Sequence, residues 1–210
     1  MLDKATFYAN IRGGPLFPVL YQDQVNGIDQ ILDCWNGGPL GLFQPPVYDA
    51  MLAYMLATVY HETARAMQPV REGDWPGHHV SDAWRRRNLY RYYPYYGRGL
   101  VQLTWRSNYQ LATQFLRKFY PADASKIDLV NFPDQALNPT YAVAILFHGM
   151  STGMFTGRSL HDYIYGSHID FIDARRIING MDRAWTIAGY ANEFLTAVEK
   201  GTAAYEQTHR

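Results

Sequence analysis

Apolar residues recur every three or four positions along most of the chain, which predicts a mainly helical protein. Clusters of glycine, proline and asparagine mark where most of these segments end. The longer predicted helices span residues 3–11, 22–35, from Pro46 or Val47 to 62, 105–119, 138–148 and 184–204, and shorter ones span 81–89, 160–164 and 171–178. Between the second and third helices, Gln44-Pro45-Pro46 is expected to form a rigid linker.

The stretch from residue 68 to residue 103 interrupts this helical pattern. Val70–Gly77 contains two glycines and a proline, which predicts a turn or a short hairpin. An aromatic loop with glycines is predicted over residues 90–99, followed by a short strand over Leu100–Leu103. Thr104 is then expected to cap the next helix. The pattern therefore predicts many short helices with a little sheet in this region, and mostly loop over residues 121–139.

The composition narrows the class of protein. A chain of 210 residues, 48% of them hydrophobic, suits one domain with a sizeable core. The formal net charge is zero, so nothing overall marks a nucleic-acid or membrane binder. The single cysteine, Cys34, excludes an intramolecular disulfide and a cysteine-based metal cluster, and it fits a reducing compartment. We expect Cys34 to be a small buried hydrophobic residue.

The start of the chain gives no sign of export. Residues 1–5 lack a basic region followed by an apolar run. No uninterrupted apolar stretch is long enough to span a bilayer, so stable membrane insertion is not expected. We therefore expect synthesis in the cytoplasm without a signal peptide. If the substrate lies outside the cytoplasm, another component must deliver the protein.

Glu62 is placed where a carboxylate is costly. It lies seven residues after Met55 and three after Val59, on the same side as the apolar stripe of an amphipathic helix and near its C-terminus. A carboxylate there should lose hydration, hold its proton to higher pH, or find a partner. The partial negative charge at the helix C-terminus also favours the protonated form. A carboxylic acid of this kind suits a general acid. The alternative is a glutamate at the rim, paired with Arg65 or Arg71.

The dipeptide His61-Glu62 also raises the question of a metal site. A zinc-protease helix requires His-Glu-x-x-His, so that two imidazoles share one face. In this chain the fifth position is Arg65. His78 and His79 are free to act as ligands, but no spacing supports that role. We expect no metal site.

Two further acids follow Glu62 on a segment broken by glycine. Glu72 and Asp74 come ten and twelve residues later. Glycoside hydrolysis with inversion uses two carboxyl groups about 6.5–9.5 Å apart, one as the acid and one as the base that activates water. A helix end followed by a hairpin can place such groups across a cleft. For Glu72 or Asp74 alone, the alternative is a solvated turn residue.

The segment from Tyr95 to Tyr109 combines aromatic rings with glycines. Glycine lets the backbone approach a ligand closely, and tyrosine offers a flat face that suits sugar rings. Gln102 and Thr104 would alternate on one strand face and point into the same groove. One alternative is an aromatic corner of the core. Another is nucleic-acid binding, because stackable tyrosines alternate with arginines, although the neutral net charge counts against it; these arginines are Arg85, Arg86, Arg87, Arg91 and Arg98.

Three motifs together resemble the family 19 glycoside hydrolases, the plant-type chitinases and their bacteriophage endolysin relatives. Tyr60-His61-Glu62-Thr63 is similar to that family's His-Glu-Thr motif. Tyr95-Tyr96-Gly97-Arg98-Gly99-Leu100-Val101-Gln102-Leu103-Thr104 is similar to its Tyr-Tyr-Gly-Arg-Gly-x-x-Gln-Leu-Ser/Thr signature, and Ile177-Ile178-Asn179-Gly180 to its Ile-Ile-Asn-Gly. The order and approximate spacing also agree, from about residue 25 to 195.

The resemblance implies a mainly α, lysozyme-like fold of the α+β type, with two helical lobes around a substrate cleft and a small β-hairpin region. Residues 1–210 would form a single catalytic domain without a separate wall-binding module or a cofactor. Glu62 matches the general acid and Thr104 the hydroxyl residue that holds the attacking water, while Glu72 is the expected base and Asp74 its rival. The remaining expected substrate-binding residues are His61, Tyr95, Tyr96, Arg98, Gln102, Asn108 and Asn179, with Arg98 expected mainly to brace the carboxylates or the loop.

Three departures from plant chitinases are similar to the endolysin branch. The disulfide cysteines are absent, the segment between the two acids is shorter, and long chitin-groove loops are missing. This branch implies a muramidase that cleaves peptidoglycan in the periplasm, acts as a monomer, and is delivered by a holin or another export route. The alternatives are a chitinase, a non-catalytic glycan-binding module, or a secreted antibacterial effector with the same enzymology.

Overall fold

A computed structural model describes residues 1–37 and 48–209 of the chain, and these residues are mainly helical. The α-helices are α1 (Lys4–Ile11), α2 (Gln22–Asn36), α3 (Asp49–Glu62), α4 (Asp82–Asn88), α5 (Arg106–Phe119), α6 (Pro139–Thr152) and α7 (Ala184–Thr208). Short 3₁₀ helices span Pro121–Lys126, Pro133–Leu137, Leu160–Asp162 and Asp173–Ile177. The strands are β1 (Val70–Arg71), β2 (Arg98–Gly99), β3 (Ile164–Tyr165) and β4 (His168–Ile169), in two antiparallel pairs. The predicted mainly helical fold class is confirmed.

Helix α3 is the central element of the core. Every residue from Ala50 to Tyr60 is buried, so the helix is enclosed on all sides and is not amphipathic as predicted. It packs along α7, which also packs against α1. Near its C-terminal end, the Tyr60 hydroxyl donates to the Leu16 carbonyl at 2.8 Å. The packing around α3 fixes its last turn, where Glu62 lies.

Helices α5 and α6 begin where local sequence signals place them. Asn138 caps α6 by accepting hydrogen bonds from the backbone of Thr140 and Tyr141, and Pro139 occupies the first turn. Helix α5 is strongly amphipathic and buries Tyr109 and Leu116, among others. Its cap differs from the prediction. Trp105, with φ of +75°, precedes the helix and Thr104 does not cap it.

The predicted strand over Leu100–Leu103 is wrong. The strand lies two residues earlier, where Arg98 pairs with Arg71 and Gly99 with Val70. Gln102 has φ of +51°, and Leu103 turns back to donate to the Arg98 carbonyl at 2.8 Å. A left-handed residue cannot continue an extended strand, so the chain makes a tight turn here. Strand β1 therefore pairs with a strand that is distant in sequence and does not form a local hairpin.

Several smaller predictions need adjustment. The helix that carries Glu62 begins at Asp49, and the expected linker Gln44-Pro45-Pro46 lies outside the described residues. The segment predicted as loop over residues 121–139 contains two of the 3₁₀ helices, and the predicted helices over 160–164 and 171–178 are also 3₁₀ turns. The β3–β4 hairpin was not predicted, because its two-residue strands are too short to leave a period-2 pattern.

Cys34 is half-buried beside the core, and burial raises the pKa of its thiol to about 12. Across the described part of the chain, no helix combines the length and the hydrophobicity needed to cross a bilayer. In residues 1–37 and 48–209, no group of three or more His, Cys, Asp or Glu residues is arranged to hold a metal ion.

Candidate active site

A cavity of about 930 Å³ opens at the C-terminal end of α3. Its walls come from the last turn of α3, the residue that follows β1, the turn before α5 with the first turn of that helix, and two segments around residues 155–158 and 176–180. Seven of the ten predicted site residues line it: His61, Glu62, Glu72, Gln102, Thr104, Asn108 and Asn179. The fold thus brings together residues from three motifs that are far apart in sequence.

Glu62 is the last residue of α3 and faces this cavity. The helix ends because Thr63 turns its hydroxyl back to the Val59 carbonyl at 2.7 Å and accepts from the Met67 amide at 3.0 Å. Ala64, Arg65 and Met67 then adopt positive φ angles. This strained return fixes the direction of the helix end. The Glu62 side chain is 13% exposed, so it is sheltered and still reachable from the cavity.

Arg175 is the ion-pair partner of Glu62. Its Nη1 donates to Oε1 of Glu62 at 2.6 Å, and the arginine side chain is only 4% exposed. The alternative considered from the sequence was an ion pair with Arg65 or Arg71, and Arg175 takes this place instead. Arg65 lies over the Tyr60 ring, and Arg71 pairs with Asp134 at 2.8 Å. The partner had to come from another element, since the residues just after Glu62 turn away from it.

His61 lies beside Glu62 on the cavity wall. Burial lowers the pKa of its imidazole, and the neighbouring Glu62 carboxylate only partly offsets this effect. The ring is therefore neutral at pH 7, with one nitrogen that donates and one that accepts. Such a group can hold a sugar hydroxyl or an amide in either direction.

Glu72 also lines the cavity, and its carboxylate is held by two hydrogen bonds. Its Oε1 accepts from the Tyr92 hydroxyl at 2.7 Å and its Oε2 from the Gly97 amide at 2.8 Å. The Glu72 amide in turn donates to the Gly97 carbonyl at 2.7 Å, which extends the β1–β2 ladder by one residue. Burial, followed by the hydrogen bond to Glu72, raises the pKa of Tyr92 to about 12, so its hydroxyl remains a donor.

Asp74, the rival of Glu72, is engaged elsewhere. It forms an ion pair with Arg85, whose side chain is 6% exposed, and it accepts from the Val80 amide at 2.9 Å. Arg85 also donates to the Glu72 carbonyl at 3.0 Å. Asp74 is not among the residues that line the cavity. The geometry therefore favours Glu72 as the second carboxylate, with Asp74 holding the turn that carries it.

The turn before α5 supplies the polar floor of the cavity. Gln102 donates from Nε2 to the Val70 carbonyl at 3.2 Å, and the Thr104 hydroxyl donates to the Gln102 carbonyl at 2.8 Å. Gly97 leaves room for Gln102, because a Cβ built at this glycine would lie 2.5 Å from the Gln102 Oε1. Both predicted residues reach the cavity, although through a left-handed turn and not through strand alternation.

Tyr95, Tyr96 and Arg98 lie behind the cavity wall and do not line it. Arg98 is buried, with its guanidinium 3.6 Å from the centre of the Tyr96 ring, and its Nε donates to Asp134 at 2.8 Å. Tyr95 packs on Tyr109 at 5.4 Å between ring centroids. Contacts between these three residues and a substrate stay a prediction. The three side chains support the loop, which for Arg98 agrees with the bracing role considered from the sequence.

Several cavity residues were not predicted from the sequence. They are Tyr92, Trp105, Phe155, Thr156, Arg158 and Arg176, and Arg175 joins them through Glu62. Trp105 is 50% exposed, and its ring contacts Tyr92 edge-on at 5.3 Å. A tryptophan next to a predicted polar groove was a usable signal, since exposed indole rings often stack on ligands. Arg175 lies four residues before Asn179, so proximity to that motif was its only signal.

Comparison with solved structures places this architecture in a known class. A bacterial family 19 chitinase shares 25% sequence identity with the chain, with 94% of each chain covered and a TM-score of 0.56. Chitinase C from Streptomyces griseus shares 20% identity over 94% of this chain and 76% of its own, with a TM-score of 0.55. No protein-family model and no curated protein matches the sequence.

The fold is therefore that of a helix-rich glycoside hydrolase. More narrowly, it is the fold of glycoside hydrolase family 19, which the sequence motifs also resemble. Both of these related structures are bacterial chitinases, so the endolysin branch remains a prediction.

Proposed function

We propose that the protein is an inverting glycoside hydrolase that cleaves the β-1,4 bond between N-acetylmuramic acid and N-acetylglucosamine in peptidoglycan. One observation carries the proposal: Glu62 and Glu72 line the same cavity, each held by its own hydrogen-bond donors. Two carboxyl groups facing one cleft are the requirement for this chemistry. The family 19 fold supports glycosidase activity, and the choice of peptidoglycan comes from the sequence resemblance to endolysins.

Glu62 acts as the general acid in this mechanism. Its proton passes to the glycosidic oxygen as the bond between that oxygen and the anomeric carbon breaks, which leaves a hydroxyl on the departing sugar. Arg175 holds Oε1, which leaves Oε2 as the oxygen that can carry the proton. After the step, Arg175 also stabilises the carboxylate that remains.

Glu72 acts as the general base on the opposite face of the sugar. It removes a proton from water as the water oxygen bonds to the anomeric carbon, which inverts the configuration there. Tyr92 and Gly97 orient the carboxylate, and each carboxylate oxygen can accept a further hydrogen bond. Thr104 is placed on the cavity floor, where its hydroxyl oxygen can accept a hydrogen bond from the same water.

Digestion of purified peptidoglycan followed by mass spectrometry tests the proposed bond. A muramic-acid reducing end is expected. A glucosamine reducing end would identify a glucosaminidase, and released peptides with an intact glycan would overturn the glycosidase proposal. Delivery to the wall by a holin or another export route, and action in the periplasm as a monomer, belong to the same proposal.

A chitinase is the second candidate, because the two related structures are family 19 chitinases. It would use the same two carboxylates and differ only in the groups around them. Parallel assays on colloidal chitin and on peptidoglycan separate the two candidates by their relative rates of reducing-end release. Binding to either polymer without new reducing ends would indicate a non-catalytic glycan-binding module.

A further inference from the structure

Two arginines, Arg158 and Arg176, line the same cavity as Glu62 and Glu72. Both are exposed, and neither falls in a motif that resembles the family. Chitin carries no charge on its N-acetylglucosamine units, so a chitin strand offers no charged partner to two guanidinium groups. Cations in a cleft attract and orient anionic ligands. Their position therefore points to a substrate that carries carboxylates.

Thr156 links the two backbone segments that carry the arginines. Its hydroxyl donates to the Arg176 carbonyl at 2.6 Å, with the Ile177 carbonyl at 3.1 Å, and accepts from the Arg158 amide at 3.4 Å. This one side chain joins the turn after α6 to the segment before α7. Gly153, with φ of +74°, starts that turn and lets it fold back. The backbone at Arg158 and the backbone at Arg176 are therefore fixed relative to each other.

The charge of Arg158 is not neutralised within the described residues, where no carboxylate lies within ion-pair distance of it. Arg176 contacts Asp173 at 3.3 Å, with both side chains about half exposed. An exposed pair of this kind contributes little, so an incoming carboxylate can compete for the guanidinium. The neighbouring Arg175, in contrast, is buried and committed to Glu62.

We propose that Arg158 and Arg176 form a carboxylate-binding subsite that recognises acidic groups on the side of a glycan strand. This inference rests on the proposed function and deepens it. Peptidoglycan offers two such groups, the carboxylates of the stem peptide and, on muramic acid units without a peptide, the free lactyl carboxylate. Guanidinium groups bind carboxylates through paired, charge-assisted hydrogen bonds, which the neutral hydroxyl and acetamido groups of chitin cannot replace. The subsite therefore selects peptidoglycan over chitin.

The test compares Arg158→Gln/Arg176→Gln with Arg12→Gln/Arg87→Gln. The control pair removes the same charge from two exposed arginines that lie outside the cavity. Three substrates are used: glycan strands with stem peptides, strands freed of peptides, and peptide-free strands whose lactyl carboxyls are reduced to alcohols. Initial rates give kcat/KM, and the dissociation constant is measured separately in the Glu62→Gln background, so that binding does not depend on turnover.

We expect the double variant to lose about tenfold or more in affinity and in kcat/KM on carboxylate-bearing strands, mainly through KM, because charge-assisted bonds are lost. Carboxyl-reduced strands should bind the variant and the parent protein equally, and the control pair should match the parent on all three substrates. A loss confined to peptide-bearing strands would assign the recognised carboxylates to the stem peptide, and a loss confined to peptide-free strands would assign them to the lactyl group. A loss on both would mean that the subsite accepts either carboxylate.

An equal loss on reduced strands, or no loss on any strand, would overturn the subsite. If the parent protein cleaves none of the substrates, the proposed hydrolysis fails. The binding measurements in the Glu62→Gln background then decide the carboxylate subsite on their own.

Discussion

Arg175 and Glu62 meet at 2.6 Å although they are 113 positions apart in the chain. The arginine comes from the 3₁₀ helix Asp173–Ile177, and the glutamate ends α3. Arg175 also donates from Nε to the Asp182 carbonyl at 3.0 Å, so its fork holds two elements at once. The ion pair thereby joins the buried helix to the wall that carries Asn179.

Replacing Arg175 by lysine should lower kcat at least tenfold with little change in KM. A lysine ammonium cannot hold Glu62 and the Asp182 carbonyl together in one planar fork, so the Glu62 carboxyl group is no longer fixed in one orientation. Steady-state kinetics on glycan strands measure kcat and KM separately. Arg65→Lys, at an arginine that follows α3 and faces away from the cavity, serves as the control. An unchanged kcat in Arg175→Lys would refute the positioning role.

Glu62→Gln should leave a folded protein that has lost about 10²–10⁴-fold in kcat, the usual effect of removing a general acid. Glutamine has nearly the same shape and can still accept from Arg175 through its amide oxygen, but it has no proton to transfer. Circular dichroism and thermal melting establish that the fold is intact, and reducing-end release measures the activity. Reducing-end release at the parent rate would exclude Glu62 as the general acid.

Glu72→Gln and Asp74→Asn separate the two candidates for the base. Glu72→Gln should lose about 10²–10⁴-fold in kcat, because the water is no longer deprotonated. Asp74→Asn should instead lower the free energy of unfolding by about 3–5 kcal/mol, because it leaves the buried Arg85 without its counter-charge. Urea denaturation and single-turnover rates on the same samples give both quantities. The reverse pattern would assign the base to Asp74.

His148 should make the stability fall as the pH drops below about 6.5. Burial lowers the pKa of its imidazole, its ring stacks on Phe115 at 3.7 Å, and its buried Nδ1 has no hydrogen-bond partner among the described residues. The unfolded chain binds the proton more readily than the folded one. The stability contributed by neutral His148 is therefore complete above the unfolded pKa and is lost as the pH falls through the folded one.

His148→Phe keeps the stacking and removes the titration, so its melting temperature should fall less between pH 7 and pH 5 than that of the parent. His61, whose pKa is also lowered by burial, contributes to the remaining slope. Melting curves at both pH values decide the matter, and identical slopes in the two proteins would exclude His148 as the source.

The long helices could be predicted because their signals are local. Asn138 and Pro139 specify the start of α6, and the apolar stripe of α5 specifies its buried face. The motif residues around the cavity could be named through the family resemblance. The periodicity of apolar residues alone could not have shown that these motifs come together. The extent of burial of α3 could not be predicted from periodicity. Where apolar residues occur on nearly every side of a helix, the pattern does not show which sides are buried.

What the sequence could not provide were contacts between distant segments. The partner of Glu62 was sought among nearby arginines, but the backbone reverses at Ala64 and Arg65 and leads those side chains away. The turn at Gln102 was missed because a non-glycine residue with positive φ leaves no signature in composition. Tyr96 was expected to reach the ligand, yet it packs against Arg98 and both side chains are buried.

The hydrogen bonds between Glu72 and Gly97 close a 24-residue excursion, residues 73–96, at its base. One end of this excursion carries the carboxylate, and the other carries the amide that clamps it. Tyr92 and Arg85 lie within the excursion and also hold Glu72, so a segment of another length leaves the carboxylate in place only if it keeps these two contacts. Changes of length confined to the part of the excursion that makes neither contact are thus a route to a new substrate range.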